Sequence, residues 1–180
     1  MLIDNRPGAD TVIGTEVGVR AKPDGYTIMY IGSVLATKHT LLKTPYDATR
    51  DIAAIATIAS FENLLAVHPS LPVKTLKDFV ALAKARPGEL NYATSSRGGS
   101  THLAVELLNG LAGIKTQQIP YKGGGPAVAD LLGGQVQFIM AVPVNIVAHV
   151  KGGPPVDRLI YTGDAQLHEL VISILDAGLA

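Results

Sequence analysis

Apolar residues along this chain follow two alternating patterns. Short runs dense in aliphatic, aromatic and β-branched side chains occur at 26–31 (YTIMYI), 52–58 and 63–67, and they predict strands. Longer stretches repeat apolar residues every three or four positions and predict helices. The clearest spans 75–86, where Leu76, Phe79, Val80 and Ala83 share a face and Pro87-Gly88 stops the helix. Before it, a small-residue helix over 9–21 closes at Lys22-Pro23-Asp24-Gly25, and a second helix covers 34–42 after Gly32-Ser33. After it, strands at 91–93, 116–120, 135–140 and 158–162 alternate with helices at 101–112, 125–132, 144–150 and from about 166. Such alternation predicts an α/β fold with a mainly parallel sheet covered on both faces.

Composition narrows the function more than the fold. At 47% hydrophobic, 180 residues suffice for a core in one domain or two small ones. Fifteen basic and fifteen acidic side chains cancel without a basic run, which argues against a nucleic-acid partner. The absence of cysteine removes disulfides, thiolate zinc sites and thiol catalysis together. No apolar run reaches the ~18 residues of a membrane span, so direct membrane insertion is not expected. The start, MLIDNRPGAD, lacks the charged and apolar regions of a signal peptide and reads as a strand already under way.

Chemistry-bearing positions gather in loops that follow strands. Residues 94–101 carry Thr94, Ser95, Ser96, Gly98, Gly99, Ser100 and Thr101 where a strand hands over to a helix. Ligands of parallel sheets bind beyond the carboxyl ends of the strands. The first N–H groups of a helix lack intrahelical partners, and with the helix dipole and nearby hydroxyls they suit a carboxylate or phosphate. The simpler alternative is that Ser100 or Thr101 merely caps the helix. The run is neither a Walker A loop nor the dinucleotide G-x-G-x-x-G. A second cluster, PYKGGGPA at 120–127, and a third, Gly32-Ser33, stand in equivalent places, with tight turns as their alternative reading.

Catalytic constellations are poor. His39, His68, His102, His149 and His168 are scattered without metal-ligand spacing. His102, in the first turn of a helix, can face a ligand; His68 reads as structural. No G-x-S-x-G elbow is present. Asp47, Asp51, Asp78 and Asp130 sit near turns and helix ends, as caps do. No metal or cofactor is expected, and binding is favoured over chemistry.

Longer motifs carry a family resemblance. "DNRPGA" (4–9), "KPDGYTI" (22–28), "PYDATRD" (45–51), "HPSLPVKTLKDFVALAKARPGELNYATSSRGGSTHLAVELL" (68–108) and "IPYKGGGPAVADLLGGQVQF" (119–138) resemble the tripartite tricarboxylate transporter receptors, also called Bug or TctC-like solute-binding proteins. The resemblance implies a type II-like periplasmic-binding-protein fold, with two α/β lobes around a cleft. It implies a periplasmic receptor that delivers small carboxylates (di- or tricarboxylates, acidic amino acids or aromatic acids) to membrane permease subunits. Family members hold a carboxylate with backbone amides, hydroxyls and water rather than with a salt-bridging arginine. On this mapping 94–101 is the second-lobe carboxylate loop, with Thr94, Ser95, Ser96, Gly99, Ser100, Thr101 and His102 as its ligand-facing residues. Ser33 falls in a first-lobe contact region, and Tyr121, Lys122 and Gly123 lie near the cleft. Residues 1–62 map to a partial first lobe, 63–155 to the second lobe, and 156–180 to an atypical return segment.

Departures from the family pattern accompany the match. Family members are longer, and their opening strand and Pro/Gly-rich loop have no counterpart here, so the first lobe is expected to be incomplete. At 138–142 the family usually places an Asp where this chain reads FIMAV. A fragment of a longer receptor or a degraded gene product is therefore expected. Two alternatives to a working receptor stay open: a non-binding remnant, and an α/β enzyme acting on an anionic substrate.

Overall fold

The computed structural model describes residues 1–41, 43–59 and 63–151. Contacts divide these residues into two units. One takes Met1–Ser60 together with Ser96–Ser100; the other takes Phe61–Ser95 and the described residues from Thr101 on. The expected strand at 158–162, the final helix and the return segment 156–180 lie outside the described residues.

The second unit is a four-stranded sheet with helices on both faces. In chain order its elements are β1 (Leu64–Val67), α3 (Leu76–Ala85), β2 (Asn91–Thr94), α4 (Ser100–Ala112), β3 (Gln117–Pro120), α5 (Gly124–Leu132), β4 (Phe138–Ala141) and α6 (Pro143–Lys151). The strand order is β1-β4-β2-β3. β2 pairs in parallel with β3 and with β4, while β1 runs antiparallel to β4. The sheet is thus mainly parallel, with one antiparallel edge strand. An antiparallel edge strand on an otherwise parallel sheet is common. The run LLAV is apolar throughout because both its faces are buried, and such a run carries no signal of direction.

Strand periodicity explains the two cores. Leu65, Val67, Tyr92, Phe138 and Met140 point to one face and pack with Leu76, Phe79 and Ala83 of α3 and Val105, Leu108 and Ala112 of α4. Their alternates, Leu64, Ala66, Ala93, Ile139 and Ala141, meet Ala127, Val128 and Leu131 of α5 and Ile146 of α6 on the other face. Phe79 and Phe138 touch edge to face, with centroids 4.9 Å apart. α3 starts at a capping box, in which Thr75 Oγ1 accepts from the Asp78 N–H and the Asp78 carboxylate accepts from the Thr75 N–H. A further N–H, from Lys74, is the leading cause that holds the Asp78 carboxyl below its usual range.

The first unit contains α1 (Val12–Val19) and α2 (Val34–Leu41), with a 3-10 turn at Ala9–Thr11 preceding α1. The expected strands at 26–31 and 52–58 are not formed. Tyr26, Ile28, Tyr30, Ile55 and Ile58 are all exposed. Strand propensity cannot supply the neighbour that a ladder of hydrogen bonds requires, and none of the four strands among the described residues pairs with these segments. No helix among the described residues is long and apolar enough to cross a membrane.

Truncating Phe79, which is fully buried, is expected to cost about 3–5 kcal/mol in Phe79→Ala. Leu107→Ala, at a largely exposed site on α4, is expected to change stability by less than about 0.5 kcal/mol. Removing the cap in Thr75→Ala is expected to cost about 1 kcal/mol. Urea melts of the three variants against the parent chain check all three values.

Candidate ligand-binding site

The pairing registers bring the carboxyl ends of three strands to one edge of the sheet. Leu64 opposes Ala141 and Thr94 opposes Pro120, so β2, β3 and β4 all finish there, and α4, α5 and α6 all begin there. None of these three helices carries an acidic residue in its first turn. α3, which follows the antiparallel strand, carries Asp78 in its first turn. Acidic side chains are favoured at helix N-termini because they complement the dipole. At this edge the positive ends are left without such a complement.

The loop after β2 is built from small residues for identifiable reasons. Thr94 ends the strand and is 1% exposed. Its carbonyl accepts the Tyr121 N–H at 2.8 Å, and its Oγ1 accepts from Gln118 Nε2 at 2.9 Å. Ser95 and Ser96 are half-buried and Gly99 is buried. A Cβ on Gly99 would lie 2.5 Å from Ser96 Oγ, so the absence of a side chain lets Ser96 fold against the loop backbone. Ser100 is exposed at the first position of α4, and Thr101 and His102 are half-buried in the same turn. The His102 ring lies nearly parallel to Tyr92, at a centroid distance of 6.5 Å. Tyr92 donates its hydroxyl to Glu106 Oε1 at 2.6 Å, and burial is the first cause that pushes its phenol above the ordinary range.

The 120–127 cluster is arranged differently. Tyr121 donates its hydroxyl to Asp130 Oδ2 at 2.7 Å, which directs the ring's polar end to α5. Burial first and Asp130 second push its phenol up to about 12. Lys122 is exposed, and Gly123 takes the left-handed φ of 116° that precedes α5. Next to it, a pocket of ≈ 140 Å³ lies between α5 and α6, with Gly124, Gly125, Asn145 and His149 in its wall. Ala141, at the end of β4, is buried in the α5–α6 core. Ser33 is exposed in the turn before α2, and its carbonyl accepts the Ala36 N–H at 3.1 Å. Among the described residues no three His, Asp or Glu side chains are placed to hold a metal.

Sequence reasoning missed three residues of the first unit that hold Ser96–Ser100. Lys38 is buried, at 1% exposure, and donates to the Arg97 carbonyl at 2.6 Å. Asp10 lies 3.4 Å from Lys38 Nζ and accepts the Arg97 N–H at 3.4 Å. Thr37 donates to the Gly98 carbonyl at 2.7 Å. Nothing in ATKHTL distinguishes a buried lysine from a solvated one.

Comparison with known proteins places this arrangement in a family. Residues 1–157 match the model of the tripartite tricarboxylate transporter family receptor. Protein BugT of Bordetella pertussis is 33% identical over 171 residues, which cover 93% of this chain and 52% of BugT. Rpa4515 of R. palustris, solved with adipate, superposes at a TM-score of 0.80 with 31% identity, over 84% of this chain and 52% of that one. MatC of Rhodopseudomonas palustris, with bound malate, gives a TM-score of 0.71 at 26% identity, over 81% of this chain and 50% of MatC. The chain spans about half the length of these relatives. It belongs to the tripartite tricarboxylate transporter receptor family, and its α/β fold is that of the family's periplasmic binding proteins.

Proposed function

We propose that this chain forms part of a periplasmic receptor that holds a small dicarboxylate on the run 94–101 and hands it to membrane permease subunits. The observation that carries the reading is the edge where three helices start without an acidic residue in their first turns. A carboxylate there meets the N–H groups at the start of α4 and the hydroxyls of Ser95, Ser96, Ser100 and Thr101. Thr94 supports the run from below through its tie to Gln118. Gly99 gives close backbone approach, His102 flanks the run on the Tyr92 ring, and the 121–123 turn adds the Lys122 charge beside a neighbouring helix start. Residues 1–62, with Ser33, correspond to one lobe of the receptor and residues 63–155 to the other. The relatives with adipate and malate support a dicarboxylate of four to six carbons as the ligand class. The zero net charge of the chain supports local rather than long-range attraction of the anion.

A ligand present at 100 times its Kd is expected to stabilise the fold by about 2.7 kcal/mol. Thermal melts of the chain with millimolar adipate, malate and a monocarboxylate control are expected to show a rise in Tm with a dicarboxylate. The double variant Ser95→Ala/Thr101→Val is expected to lose most of that rise, since each hydrogen bond to a charged group contributes about 1.5–3 kcal/mol. A melt that no carboxylate moves, or one that moves equally in the double variant, would contradict the proposed site.

A further inference from the structure

We infer that Thr37 and Lys38 are positioning residues for the carboxylate loop, acting through its backbone carbonyls. The inference rests on the reading of 94–101 as an anion site and names what sets its geometry. The two side chains take the carbonyls of successive residues: Lys38 that of Arg97 at 2.6 Å, Thr37 that of Gly98 at 2.7 Å. In a planar trans peptide the N–H of the next residue points opposite to the carbonyl. Drawing the Gly98 carbonyl onto α2 therefore turns the Gly99 N–H away from α2. Lys38 fixes the preceding peptide plane in the same sense. Gly98 has a φ of 77°, a left-handed backbone that favours glycine, and its Cα faces the flexible end of Leu41 on α2. A right-handed residue next to a left-handed one can turn successive N–H groups into a concave anion site.

The lysine's surroundings fit this role better than that of a filler. A buried ammonium is costly unless it is paired and hydrogen-bonded. Lys38 reaches both a carbonyl and the Asp10 carboxylate. Asp10 in turn accepts the Arg97 N–H, so one ion pair engages both backbone polar groups of the same loop residue. Asp10 does so from a left-handed backbone, with φ values of 44°, 53° and 79° at Ala9, Asp10 and Thr11. Strain of this kind persists where surrounding contacts over-determine the conformation. Here the contacts are those to Lys38 and Arg97.

The test is residue-resolved amide hydrogen exchange on the full chain, with adipate binding measured in parallel, for Lys38→Met, Lys38→Arg and Thr37→Val. With adipate bound, so that the carboxylate protects the Gly99 N–H, Lys38→Met and Thr37→Val are each expected to speed exchange at Gly99 by about tenfold or more, while Tyr92 and Phe138 in the core are unchanged. Lys38→Arg, which keeps a charged donor, is expected to restore slow exchange. The Kd for adipate is expected to rise about tenfold in Lys38→Met without a matching fall in Tm. Should Lys38→Met fail to fold, Thr37→Val decides. Unchanged Gly99 exchange in the folded variants overturns the inference, as does acceleration shared equally with the core, which marks a purely structural role. A parent chain that binds neither adipate nor malate removes the proposed function, and exchange at the Arg97 N–H, which Asp10 accepts, then decides whether the clamp exists: faster in Lys38→Met if it does, unchanged if it does not.

Discussion

Parallel pairing of β2 with both β3 and β4 is the constraint from which the site follows. Three strands that run the same way must end at the same edge, and each then enters a helix there. Their helices therefore aim positive dipole ends at one region. Crossovers on opposite faces give this edge two dry supports, the α3–α4 core and the α5–α6 core. Rigid strands thus place loops whose own sequences are too small and polar to hold a shape by packing. The acid distribution follows the same division: Asp78 sits on α3, which follows the antiparallel strand β1.

Small residues let a loop approach a ligand, but they also leave it many conformations. Two devices reduce that freedom. Within the second unit, Thr94 is held by Gln118 and by the Tyr121 N–H, which extends the β2–β3 ladder by one residue. Within the first unit, the Arg97 and Gly98 carbonyls of the loop are held by Lys38 and Thr37. Neutral donors hold an anion well only when they are preorganised, because flexible ones gain little over water.

Much of the second unit was legible in the sequence because local signals agree there. Thr75 with Asp78, the spacing of Leu76, Phe79 and Ala83, and Pro87-Gly88 mark one helix without ambiguity. The loop after β2 stood out because hydroxylated and glycine residues cluster at a strand-to-helix junction. Other features depend on partners far along the chain and left no local mark. The direction of β1 is set by pairing with β4, and LLAV reads the same either way. Among the described residues, 26–31 and 52–58 have strand composition but no paired neighbour, and Tyr26, Ile28, Tyr30, Ile55 and Ile58 are exposed. Lys38 is buried by a contact 59 residues away, and Tyr121 turns its hydroxyl to Asp130 rather than to the loop edge.

The central claim is that a dicarboxylate sits at the start of α4, on the run 94–101. A crystal structure of the chain grown with adipate tests it most directly. The account predicts a carboxylate within hydrogen-bond distance of the Ser95 or Thr101 hydroxyl and of N–H groups between Gly99 and Thr101. Adipate bound instead in the pocket beside Asn145 and His149, with 94–101 untouched, would contradict it.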